Sequence, residues 1–202
     1  MDFMTPAEEA FALVLSDLVY CNPFLPERIE LERRATGDAF VAEGADWNVH
    51  PEEADRHPNI VMLTARAEQL AGEIRQRVVD GARPTKRQRE THEALVLFLL
   101  YHRYCTDLDV LIEPADRARA GECFDRFSRD LRGLLGLQQD SPAIVAELAQ
   151  IFSACFQIRR AFRLIFRNII GVSKPAARFR AAVWQSTFTY DMRRYRRVLY
   201  NR

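Results

Sequence analysis

The chain has little of what secreted, membrane and catalytic proteins are usually built on. Its four cysteines, Cys21, Cys105, Cys123 and Cys155, are scattered without a close-spaced pair, which argues against both a disulfide framework and a cysteine-rich zinc site. It has only eight glycines, and no Walker sequence, dinucleotide-binding glycine pattern, nucleophile elbow or zinc-protease signature occurs in it. The expectation is therefore a chain that is not itself an enzyme. The longest apolar stretch, Ala94 to Tyr101, is far below the roughly 18 residues that a membrane span needs. The N-terminus lacks a basic region, and Glu8 and Glu9 interrupt any apolar run, so no signal peptide is expected and a cytoplasmic location without membrane contact is. Alternating β-branched runs, internal repeats and low-complexity tracts are also missing, which leaves an all-α fold.

What is present is ordinary globular material with an uneven charge. Over 202 residues, 48% are apolar and 28% charged, enough to bury a core without staples. Residues 151–202 carry eleven Arg, one Lys and a single acid, Asp191, whereas the first 150 residues carry 17 basic and 27 acidic side chains. The basic third can dock on the acidic remainder of its own chain or attract a polyanion such as nucleic acid; internal docking is the favoured alternative.

Local signals divide the chain into helices. Thr5-Pro6-Ala7-Glu8 is a capping box with proline at the first helical position, and the helix it opens should reach Tyr20 before Asn22-Pro23-Phe24-Leu25-Pro26 breaks it. A short helix follows from Glu27 to Arg34. Residues 37–50 read as a loop, with Trp47 as its plug onto the core. Ile60, Leu63, Ala67, Leu70, Ile74 and Val78 form one face of a helix predicted from Pro51 to Val79. Thr85 and Gln88 cap the next helix, whose stretch from Leu95 to Leu100 is apolar on every side and should be central. Another amphipathic helix begins at Pro114 and closes around Gly133 to Gly136. After Ser141-Pro142, the residues Ile144, Leu148, Ile151, Cys155, Ile158, Phe162, Ile165 and Ile169 form a heptad seam. The seam fits a dimerising helix, but Val145, Phe152, Phe156 and Phe166 widen it toward a bundle core. A final basic helix is predicted from Ala176 to Tyr200. The whole is a multi-helix bundle with a long helix in its C-terminal third.

Few residue groups carry chemistry. His102 and Cys105, three apart on one expected helical face, have spacing for two metal ligands, but a core histidine and a core thiol explain them as well. His50 and His57 flank Asp55 in a loop without a further ligand in view. Asp107 with Asp109, and Glu52 with Glu53, are expected to be solvated, because such positions do not face one another on a helix. Arg159, Arg163 and Arg167 recur every four residues as a basic ridge, for a phosphate backbone or for an acidic helix of the same domain. Arg193, Arg194, Arg196 and Arg197, interleaved with Tyr190, Tyr195 and Tyr200, suit a protein interface or, by stacking, a nucleic acid.

The run from Ile169 through Gly171-Val172-Ser173-Lys174-Pro175-Ala176-Ala177 to Arg180 resembles the approach to the ATPase module of sigma-54-dependent AAA+ transcription activators. There an apolar pair, a Gly, a Ser and a Pro-Ala step precede the helix that leads to the Walker A strand. Lys174, between the Ser and the Pro, departs from that pattern. Ser16 to Arg28, Trp184-Gln185-Ser186 and Asp191 to Tyr195 are similar to a subgroup with a helical N-terminal region. The resemblance implies a sensor domain over residues 1–170 and a basic linker helix over 171–202, leading into an AAA+ module that follows. It implies that Ile169, Ile170 and Gly171 sit beside the adenine once that module is attached. ATP and Mg, sigma-54 RNA polymerase and promoter DNA would all be engaged by other parts of the protein. The partners expected for this chain are its own AAA+ module and further copies of itself, as a homodimer or higher oligomer. The alternative is a stand-alone nucleic-acid-binding or scaffold protein using the arginines of the C-terminal third.

Overall fold

The computed structural model describes residues 2–44, 51–112, 117–137 and 141–188, and among them there are helices and no strands. The helices are α1 (Pro6–Tyr20), α2 (Glu27–Thr36), α3 (Pro51–Ala54), α4 (Pro58–Val79), α5 (Lys86–Arg103), α6 (Cys105–Ile112), α7 (Arg117–Leu135), α8 (Pro142–Asn168) and α9 (Lys174–Phe188). The caps are those that the local chemistry requires. Thr5 and Glu8 exchange bonds at the start of α1, Thr85 and Gln88 do the same for α5, and the Ser141 hydroxyl accepts from the Ile144 amide at the start of α8. Each satisfies amides that have no partner inside the helix.

Helix α5 lies at the centre. Every residue from Ala94 to Leu100 is buried, and α1, α4 and α7 pack around it. Leu15, Leu63, Ile74, Leu95, Leu99 and Leu131 belong to the main core they share. Arg77 on α4 closes the rim of that core by a two-bond pair with Glu8, at 2.7 and 2.8 Å. The Arg77 guanidinium, against a smaller opposing effect of burial, holds the Glu8 carboxyl down at about 2.

Helix α8 joins this core to a second one. Its Leu148, Ile151 and Cys155 belong to the main core, while Phe162 and Ile165 belong to a smaller cluster with Phe24, Ala181, Trp184 and Phe188. Phe24, from the turn after α1, sits 5.3 Å from the Phe162 ring and 6.0 Å from Trp184. The seam is thus buried within the chain's own bundle, which α6, α7 and α9 complete around α8.

Four sequence expectations need correction. The helix predicted over Pro51 to Val79 is two helices, because Pro58 takes the first position of α4 and His57, extended, caps it; a residue before proline resists the helical conformation. Val78, expected on the buried face of α4, is exposed, one turn beyond Ile74. His102 and Cys105 do not share a helical face, since α5 ends at Arg103 and Tyr104 leaves the helical conformation. Arg159, read as the first member of a basic ridge, is buried between Cys155 and Phe162, beside the half-buried seam residue Ile158. Trp47 and His50 lie outside the described residues.

Candidate functional site

A guanidinium stands in the middle of α8 where an apolar side chain would be expected, 1% exposed. Arg159 Nε and Nη2 donate to the two carboxylate oxygens of Asp109 on α6, each at 2.6 Å. Nη2 also lies 2.6 Å from Asp55 Oδ2, in the break between α3 and α4. His102 Nδ1 is 3.7 Å from the other oxygen of Asp55, and Arg163, one turn along, is 3.5 Å from Asp109. Asp109, expected to be solvated, is thus committed to a buried ion cluster, because α6 packs directly on α8; Asp107 instead pairs with Arg126 at 3.1 Å. Burial pushes the Asp55 carboxyl upward, but the His102 ring and the Arg159 guanidinium outweigh it and hold Asp55 below the ordinary carboxylate range. For Arg159 itself burial disfavours the charge, and Asp109, Tyr101 and Asp55 more than restore it.

Beside this cluster lies a cavity of about 170 Å³. Its walls come from the end of α1, the turn at Pro23 and Phe24, α2, α5, α8 and Trp184 of α9. They are mostly apolar, with Leu18, Leu97, Phe98, Ile151, Ile158 and Phe162 among them. Arg28, Glu32, Asp55, His102 and Arg159 supply the polar part. Two buried polar atoms of these residues, Arg159 Nη1 and Glu32 Oε2, make no hydrogen bond. Such atoms are costly unless something pairs with them. Cys21 also borders the cavity, and its thiol is pushed up to about 12 by burial, which keeps it protonated and a poor nucleophile. This wall therefore suits binding better than covalent chemistry.

The cavity is tied to α9 by more than Trp184. Asn22, buried in the turn after α1, donates from Nδ2 to the Ala181 carbonyl of α9 at 3.0 Å and accepts from the Phe24 amide at 3.0 Å. The corner between α8 and α9 is equally fixed. Arg180, 1% exposed, reaches back from α9 so that Nη2 donates to the carbonyls of Ile169 and Gly171, each at 2.7 Å, while its guanidinium covers the Phe166 ring at 4.2 Å. Gly171 sits at φ 122°, a conformation that other residues resist. Next to this corner Ile170 and Val172 are 90% and 88% exposed, and Phe179 is exposed on α9.

The sequence-predicted residues thus fall in separate places. Arg159 is inside, Arg163 is half-buried beside Asp109, and Arg167 is exposed. Ile169, Ile170 and Gly171 form the corner, with two of their carbonyls taken by Arg180. Arg193, Arg194, Arg196 and Arg197 lie outside the described residues, as does the predicted final helix beyond Phe188. His57 is engaged through both ring nitrogens, one with the Glu43 carbonyl and the other with the Asn59 amide. Sequence reasoning missed Asp109 and Asp55 as partners of Arg159, and missed Asn22 as a tie to α9. The available signal was Arg159 itself, adjacent to an otherwise apolar seam. No protein-family model, curated protein or solved structure matches the chain. No helix among the described residues is long and apolar enough to cross a membrane, and no cluster of three or more metal-ligating side chains occurs among them.

Proposed function

We propose that this chain is the signal-receiving regulatory region of a cytoplasmic sigma-54-dependent AAA+ transcription activator, with residues 1–170 as the receiver and the segment from Gly171 as its output. The observation that carries the reading is the shared wall: Trp184 of α9 lines the same cavity as α1, α5 and α8, and Asn22 bonds α9 to the turn at its edge. A molecule that binds better with α9 docked shifts α9 toward docking by that difference alone. The corner supports the reading from the other side. Ile170 is left uncovered at one of the positions where the resemblance places the adenine of an attached ATPase module. ATP, Mg, sigma-54 RNA polymerase and promoter DNA belong to other parts of such an activator, and dimerisation or higher assembly of this region would accompany ring assembly.

The gene beyond codon 202 tests the family assignment. A glycine-rich Walker A loop encoded within about 15 codons is expected, since that loop cradles the nucleotide phosphates; a stop codon there overturns it. The rival reading, a stand-alone nucleic-acid-binding or scaffold protein, loses Arg159 from its ridge, because that side chain is committed to Asp109 and Asp55. It predicts binding of DNA or RNA that weakens steeply with salt, and a gel-shift titration at low salt without any complex removes the nucleic-acid arm.

A further inference from the structure

We infer that the cavity bordered by α1, α2, α5, α8 and α9 takes a neutral, apolar molecule the size of a substituted six-membered ring, held by packing alone. Its consequence for α9 rests on the receiver role proposed above, whereas binding itself requires only the cavity. Volume sets the size. An apolar protein cavity of about 150 Å³ holds benzene, so about 170 Å³ fits a six-membered ring with one small substituent. A void of that size deprives its lining of contacts, and an occupant of matching shape returns them. Trp184 brings α9 into the same wall, so an occupant packed against it favours the docked position of that helix.

The chemistry follows from what the walls present. Leu18, Leu97, Phe98, Ile151, Ile158 and Phe162 contribute carbon. Arg28, Glu32, Asp55, His102 and Arg159 also border the cavity, but their polar ends engage other side chains. Arg159 gives Nε and Nη2 to Asp109 and Asp55, His102 faces Asp55, and Arg28 pairs with Glu32. Arg159 Nη1 and Glu32 Oε2, which make no hydrogen bond, have essentially no accessible surface, so a ligand does not reach them. The Cys21 thiol is likewise turned to the Leu18 carbonyl, 3.2 Å away. The surface left for an occupant is mostly apolar, and against it a carboxylate or an amide gives up hydration that nothing replaces. A molecule without polar groups loses nothing there and gains from leaving water.

The test is a fluorine NMR titration of the full chain with para-fluorotoluene, para-fluorobenzamide and para-fluorobenzoate, which share a ring and differ in one substituent. Para-fluorotoluene is expected to bind one per chain with Kd below about 1 mM, within reach of a small ligand, and at least about tenfold more tightly than the amide or the carboxylate. In a chain labelled at its Leu and Ile methyl groups it is expected to shift Leu18, Leu97, Ile151 and Ile158. Leu63, Ile74 and Leu131, core residues outside this wall, should stay in place. No saturable binding of para-fluorotoluene, equal or tighter binding of the amide or the carboxylate, or methyl shifts centred on Leu63, Ile74 and Leu131 each overturns the site. Hydrogen exchange of the amides from Ala181 to Phe188 should slow on binding, and unchanged exchange there overturns the link to α9. The two proposals fail separately: binding of para-fluorotoluene with a stop codon after Arg202 keeps the site and removes the family, whereas a Walker A loop without that binding does the reverse.

Discussion

The middle of α5 and the middle of α8 occupy comparable places in the bundle and are built on opposite principles. From Leu95 to Leu100 helix α5 is wholly apolar and wholly buried, so its contribution is burial and close packing. Helix α8 interrupts an equally buried stripe with Arg159, surrounds it with Asp55 and Asp109, and leaves a cavity alongside. Buried ion clusters rarely stabilise a fold relative to apolar packing of the same volume, and cavities forgo contacts. The difference teaches where the molecule is optimised for stability and where it gives stability up for a site.

The largest effect tests the cluster directly. Arg159→Met should destabilise the chain by about 4 kcal/mol, because it takes the buried cation from two part-buried carboxylates and leaves them only the more distant His102 and Arg163. Chemical denaturation would read it. Adding Asp55→Asn and Asp109→Asn should recover much of the loss; a triple variant no better than the single one would show that Arg159 contributes by packing instead. Leu99→Ala, on the α5 side, should cost about 3 kcal/mol through a new cavity in a dry core. The same denaturation reads it, and a loss under about 1 kcal/mol would blur the two regions.

The third effect concerns pH. His92, buried on α5 against the Phe3 ring, is lowered to about 4 by burial. Above pH 6.5 the ring is neutral in both folded and unfolded chains. Between about 6.5 and 4 the unfolded chain takes up a proton that the folded chain refuses, so stability falls as pH falls through that window. The loss should reach about 3 kcal/mol, and His92→Leu should flatten that part of the pH profile. A variant that tracks the wild type through the window would assign the pH dependence to other groups. The smallest effect falls on α9: Asn22→Ala removes two buried hydrogen bonds, one to the Ala181 carbonyl and one from the Phe24 amide, and should cost about 2 kcal/mol. Hydrogen exchange of the amides from Ala181 to Phe188 should accelerate while those of Leu95 to Leu100 stay unchanged.

The α5 side was legible in the sequence and the α8 site was not, for a physical reason. Caps at Thr5, Thr85 and Ser141, and the apolar run of α5, are set by residues within a turn of one another, so local pattern suffices. The Arg159 cluster joins the break before α4, α6 and α8, and nothing local tells Asp109 from a solvated carboxylate or chooses Asp55 from other acids. The break at Asp55 did carry a local sign in His57-Pro58, which the apolar stripe of α4 obscured. Asn22 was marked only as a helix breaker, since its bond to Ala181 spans 159 positions. The cavity is still less readable, because it arises from how several helices fail to meet.

The Arg180 clasp has a mechanical consequence. By binding the carbonyls of Ile169 and Gly171 it turns a short connection into a stiff elbow, so α9 behaves as a rigid arm pivoting on the end of α8 rather than as a tethered one. A helix of 15 residues measures about 22 Å at the standard rise, and a tilt of roughly 10° would carry its tip about 4 Å. A change of packing at Trp184 too small to disturb the bundle would thus emerge at Phe188 as a movement comparable to the width of a side chain.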